Sequence, residues 1–125
     1  MSASASSVKR DGDGPVKAPI RVRFLGEDCD VHFGVYAEGG NLAIQLVSEG
    51  GPMGSATINV PGLSLNRDEI AVKSFGENAG MYEALLEAGL IEPFDRQARI
   101  GFTICPIASL TAAAIEQARA AGVAV

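Results

Sequence analysis

The sequence predicts an α+β domain: a mainly antiparallel sheet of five to six strands, one covering helix and a C-terminal Ala-rich helix. Three observations carry this. Short segments alternating apolar and polar residues recur between glycine-bearing turns from Ile20 onward. One internal segment, residues 77–90, has a 3.6-residue apolar rhythm. A run dominated by alanine closes the chain.

Taken in order, Ile20, Val22 and Phe24 alternate with Arg21 and Arg23, which reads as a half-buried strand. Gly26-Glu27-Asp28 reads as a turn. Cys29, Val31, Phe33 and Val35 then alternate with Asp30, His32, Gly34 and Tyr36, a second strand expected to pair antiparallel with the first. Glu38-Gly39-Gly40-Asn41 carries a hairpin signal, because glycine reaches positive φ without strain. Residues 42–47 are nearly all apolar and suit a central strand. Glu49-Gly50-Gly51-Pro52 reads as a turn, and a fourth strand is expected where Ala56, Ile58 and Val60 alternate with Ser55, Thr57 and Asn59. Residues 69–75 form a short fifth strand. In the helix that follows, Asn78 is the expected N-cap and Gly89 the left-handed C′ residue, with Met81, Leu85 and Ala88 on the buried stripe. A last strand spans 99–105, ended by Pro106. Ser109 or Thr111 caps the terminal helix and Gly122 stops it.

Residues 1–19 are rich in Ser, Gly and charge and cannot bury enough apolar surface to offset their ordering entropy, so they are expected to be a disordered tail before a single domain, 20–125. The net charge is −5. The tail holds Lys9, Arg10 and Lys17 against Asp11 and Asp13. The domain holds seven basic and thirteen acidic residues, a balance of −6. That sign repels nucleic acid and anionic lipid and favours a basic protein partner. Cys29 and Cys105, 76 positions apart in apolar runs, read as buried free thiols. There is no secretory h-region and no apolar run near 18 residues, which points to a cytoplasmic protein without a membrane span.

No constellation for chemistry stands out. His32 is the only histidine, and Cys29 at a spacing of three faces the other side of its strand. No cofactor or metal ligand set has the required spacing. Gly50-Gly51-Pro52-Met53-Gly54-Ser55 lacks the lysine and the helix of a phosphate loop.

Leu25-Gly26-Glu27-Asp28, residues 40–46 with their Gly-Asn-Leu-Ala start, and Glu77-Asn78-Ala79-Gly80 leading to the Leu-Glu-Ala-Gly-Leu helix end together resemble a family of small uncharacterised proteins. That family is carried on bacterial plasmids, integrative elements and phages. The resemblance spans roughly 20–110 and brings no assigned activity. It implies an accessory gene on mobile DNA, a setting rich in inhibitors of host defence of the anti-CRISPR or anti-restriction type.

The expectation is therefore a non-enzymatic, acidic protein-binding module. Its acidic candidates are Glu77, Glu83 and Glu87 beside the helix and Asp28 and Asp30 at the first hairpin. The alternative is a nucleic-acid-binding factor using Arg21, Arg23, Lys73 and the basic tail. A third reading, a small hydrolase, rests on His32 alone. Sheet edges protected only by Arg and Pro leave a homodimer open.

Overall fold

A computed structural model describes residues 19–60 and 62–125. The expected tail therefore lies outside the described residues, Pro19 excepted. The chain runs β1 (Arg21–Phe24), β2 (Glu27–Val35), β3 (Leu42–Ser48), β4 (Gly51–Ser55), β5 (Glu69–Ala71), a 3-10 turn (Gly76–Asn78), α1 (Met81–Glu87), β6 (Arg96–Ile100), β7 (Thr103–Ser109) and α2 (Ala112–Ala120). The α+β class holds, and every strand pair is antiparallel. The single sheet of five to six strands does not. Seven strands form two sheets, ordered β1-β2-β3-β4 and β5-β7-β6.

The first hairpin is tighter than expected. Leu25 (φ 52°) and Gly26 (φ 80°) both sit in the left-handed region. That is the two-residue type I′ turn whose twist matches its strands. Glu27 is therefore already paired, with Phe24, instead of lying in the turn. β3 is internal, between β2 and β4, as its apolar content implies. The fourth strand is displaced. β4 is Gly51–Ser55, an edge strand where Pro52 is tolerated, with a bulge in the ladder between Leu46 and Val47.

The alternating segment after β4 connects the sheets. Ala56 N–H donates to Ile44 O on one side, Ile58 N–H donates to Ala71 O on the other, and Lys73 N–H returns to Ala56 O. Between the sheets lies the core: Val22, Ile44 and Leu46 from the larger sheet, Ile70 and Ala108 from the smaller, Met81 and Leu85 from α1, and Ala114 and Ala118 from α2. The helix expected to cover one sheet instead packs chiefly on the edge strand β1.

Both helix ends follow the glycine signals. At α1, Leu90 N–H reaches Leu85 O and Gly89 N–H reaches Leu86 O, the paired bonds of a Schellman motif around Gly89 (φ 77°). At α2, Val123 and Gly122 repeat the pattern on Ala118 and Arg119. Thr111 is the N-cap of α2, accepting from Ala114 N–H at 3.2 Å, while Ser109 stays in β7. Asn78 is not the cap of α1. Its side chain is buried and donates to Ser55 O (2.7 Å) and Lys73 O (3.1 Å), tying the 3-10 turn to the ends of β4 and of the segment after β5. Gly80 (φ 92°) starts the helix in its place.

The expected last strand is a hairpin. Gly101 (φ 61°) and Phe102 form a two-residue turn between Ile100 and Thr103, in the glycine-first arrangement of type II′. Pro106 does not end the strand. It lies within β7 opposite Gln97, and its carbonyl accepts from Val72 N–H at 2.9 Å. Proline has no N–H to return the second bond of this pair, and the loss falls just after β5 has ended, where the ladder stops.

Candidate protein-binding surface

The two sets of charged candidates at the first hairpin turn out to be partners of one another. Register places Arg21 opposite Asp30 and Arg23 opposite Asp28. Arg23 Nη1 lies 2.9 Å from Asp28 Oδ1, and Arg21 Nε lies 3.6 Å from Asp30 Oδ1. All four side chains are exposed, so each pair contributes under about 1 kcal/mol. Their charges cancel, however, leaving neither an acidic nor a basic field on this face. Lys73 is half-buried and lies after β5, in the other sheet's connector, away from Arg21 and Arg23 in the chain's topology.

Glu77, Glu83 and Glu87 are all exposed. Glu77 belongs to the 3-10 turn, and Glu83 and Glu87 stand one turn apart on α1. No ion pair involves any of the three among the described residues.

His32 lies across β2, β3 and β4 in one row with Gln45 and Ser55. It is exposed, at the rim of an open depression of about 370 Å³. Asp30, two residues away on the same face, pairs with Arg21. Tyr36 Oη lies 2.8 Å from Thr57 Oγ1 and donates within reach of Thr57 O (3.1 Å), so its hydroxyl is committed to fixing the sheet connector. Cys29 is buried on the opposite face, as alternation requires. Burial, followed by the neighbouring Glu27 carboxylate, raises the Cys29 thiol above its ordinary value, and burial alone raises Cys105. Both remain protonated thiols at neutral pH. Among the described residues no three His, Cys, Asp or Glu side chains converge as a metal cage would need.

The smaller sheet carries an ion pair between a buried carboxylate and an exposed arginine. Glu69 accepts from Arg96 Nη2 (2.8 Å) and from Asn66 N–H (2.8 Å), and Arg96 also donates to Ser64 O (3.1 Å). The loop before β5 is thereby held near the face where Cys105 and Ile107 are buried. Burial pushes the Glu69 carboxyl up, but the Asn66 and Arg96 donors outweigh it and hold the group below its ordinary value.

Of the large apolar side chains exposed among the described residues, Leu25 and Val35 lie on the larger sheet, and the other three belong to the β6–β7 hairpin and its approach. Phe102 at its turn is fully exposed, Ile104 is 54 % exposed and Phe94, just before β6, is 40 % exposed. Phe94 is anchored to α1: its ring meets Tyr82 edge-to-face at 5.3 Å, and its N–H donates to Tyr82 Oη at 3.0 Å. The hairpin base and the helix bearing Glu83 and Glu87 are thus joined through this pair. β6 pairs only with β7 among the described residues, so its outer backbone row is open. Sequence reasoning missed this surface by reading 99–105 as one strand. The signal present was Gly101-Phe102, a glycine-first turn inside an apolar run.

Among the described residues, no helix is long and apolar enough to cross a membrane. No family model, curated protein or solved structure matches the chain.

Proposed function

We propose that this chain is a non-enzymatic protein-binding module whose contact element is the β6–β7 hairpin. The observation that carries the reading is the outward display of Phe102, Ile104 and Phe94 around an open strand edge. Large apolar side chains displayed at the tip, the middle strand and the base of an exposed hairpin lose their contact with water only when a partner covers them. An open strand edge offers that partner main-chain hydrogen bonds as well. Glu83 and Glu87, on the helix that Tyr82 ties to Phe94, add negative charge near the hairpin base, suited to a basic segment of the partner, while Arg99 on β6 itself is positive. The biological setting in this proposal, an accessory protein of a mobile genetic element that blocks a host defence complex, is taken from the resemblance of the three sequence segments.

The test is affinity capture at low salt with the wild type beside a Phe102→Asp/Ile104→Asp double variant. Both positions are exposed, so the variant keeps the fold. The reading expects a protein retained by the wild type and lost by the variant, with retention weakening as salt screens the two glutamates. Equal retention by both proteins would refute the role of the hairpin. A host nucleic acid recovered in place of a protein would favour the nucleic-acid alternative.

A further inference from the structure

We infer that the first occupant of the β6 edge is a second copy of this chain, paired antiparallel about a two-fold axis through Ala98. The inference rests on the reading of the hairpin as a protein-binding element and names its partner.

Backbone phase comes first. In a two-residue hairpin the residues flanking the turn form a hydrogen-bonded pair, and such pairs then alternate with non-bonded ones. Ile100 opposite Thr103 is therefore bonded, as are Ala98 opposite Cys105 and Arg96 opposite Ile107. Gln97 and Arg99 consequently aim both their N–H and C=O away from β7. The Pro106 carbonyl, which bonds toward Val72 on the other side of β7, has the phase this requires.

A two-fold axis at Ala98 sets Gln97 of one copy against Arg99 of the other. Both are outward residues, so each such pair exchanges two main-chain bonds. Ala98 meets Ala98 across a narrow non-bonded position, where two small side chains leave the backbones free to approach. Arg96 faces Ile100, with its charge already met by its own Glu69. No like charges stand directly opposite. Phe94 and Phe102 lie just outside the two ends of β6, so the pairing brings the Phe94 end of each copy beside the Phe102 end of the other, the two exposed aromatic rings among the described residues.

The other edges are blunted. β4 carries Pro52 and borders a bulge. β5 is three residues long, and its outer side is met by the 56–58 segment. β1 spans only four residues, and α1 packs against it. By comparison β6 has five residues with neither proline nor bulge. The result of the pairing is a continuous six-stranded sheet across two molecules, with an α1 acidic row on each.

An edge-paired interface of this length belongs to the small, weak class, so analytical ultracentrifugation of the purified full chain is run from about 10 to 500 µM. The expected result is a shift toward twice the 12.9 kDa chain mass across that range. A monomer throughout would overturn the inference, while the partner-capture test of the hairpin would stand independently. Arg99→Pro removes an outward N–H and spares every β6–β7 bond, so it should give a folded monomer. A folded Arg99→Pro dimer would overturn the inference. Phe102→Ser, at a fully exposed position, supplies a second arm. It removes the exposed ring at one end of β6 in each copy and should weaken self-association at least about tenfold. An unchanged dissociation constant would count against the proposed axis.

Discussion

Replacing Asn78 with alanine tests how the two sheets are held together. Asn78 is buried in the 3-10 turn, and its amide nitrogen serves two carbonyls, Ser55 O at 2.7 Å and Lys73 O at 3.1 Å. Those carbonyls belong to the end of β4 and to the segment after β5, so one side chain bridges both sheets. Each bond contributes about 1 kcal/mol net, and leaving buried carbonyls without a donor adds to the loss. The expected cost is about 2–3 kcal/mol, a fall in Tm of roughly 10–15 °C for a domain near 100 residues. Urea unfolding followed by far-UV circular dichroism reads it as a lower midpoint at unchanged slope. Asn78→Asp keeps the shape but offers no donor at neutral pH, so it should be at least as damaging. A loss below about 0.5 kcal/mol in both variants would show that solvent or backbone shifts replace the bridge.

Two further predictions concern titratable groups. The Glu69 carboxyl is held below its ordinary value of 4.5, so its contribution is complete above 4.5 and is lost as pH falls through the lower folded value. Acid unfolding of the wild type should steepen in that window, and Glu69→Gln should remove the step. Cys29 and Cys105 are buried with raised thiol values, so a thiol reagent at neutral pH should label them only as fast as the chain opens. Rapid labelling of the folded protein would contradict that burial.

The parts of the fold legible in the sequence are those where one face is buried and the other wet. Val22 and Phe24 against Arg21 and Arg23 in β1, and Cys29 against Asp30 and His32 in β2, alternate because the core takes every second residue. Gly89 and Gly122 mark both helix ends because only glycine enters the left-handed region without strain there. β4 is illegible because Gly51-Pro52-Met53-Gly54-Ser55 has no alternation, and its pairing is supplied by β3 across a bulge. β6 is illegible because Arg96-Gln97-Ala98-Arg99-Ile100 has almost no buried side of its own. Asn78 illustrates a competing use of one residue type. An asparagine before an apolar run signals a cap, but here the tertiary carbonyls of Ser55 and Lys73 claim its amide. The charged candidates Asp28, Asp30, Arg21 and Arg23 are visible individually. Their mutual pairing depends on a register set by the Leu25-Gly26 turn, one residue tighter than the expected Gly26-Glu27-Asp28.

The most direct measurement of the hairpin's role is amide hydrogen exchange on the wild-type chain at low and high protein concentration. If the β6 edge pairs with a second copy of the chain, the outward amides of Gln97 and Arg99 gain protection as concentration rises, while Arg96, Ala98 and Ile100 are protected at both. Gln97 and Arg99 amides that exchange freely at every concentration would contradict it.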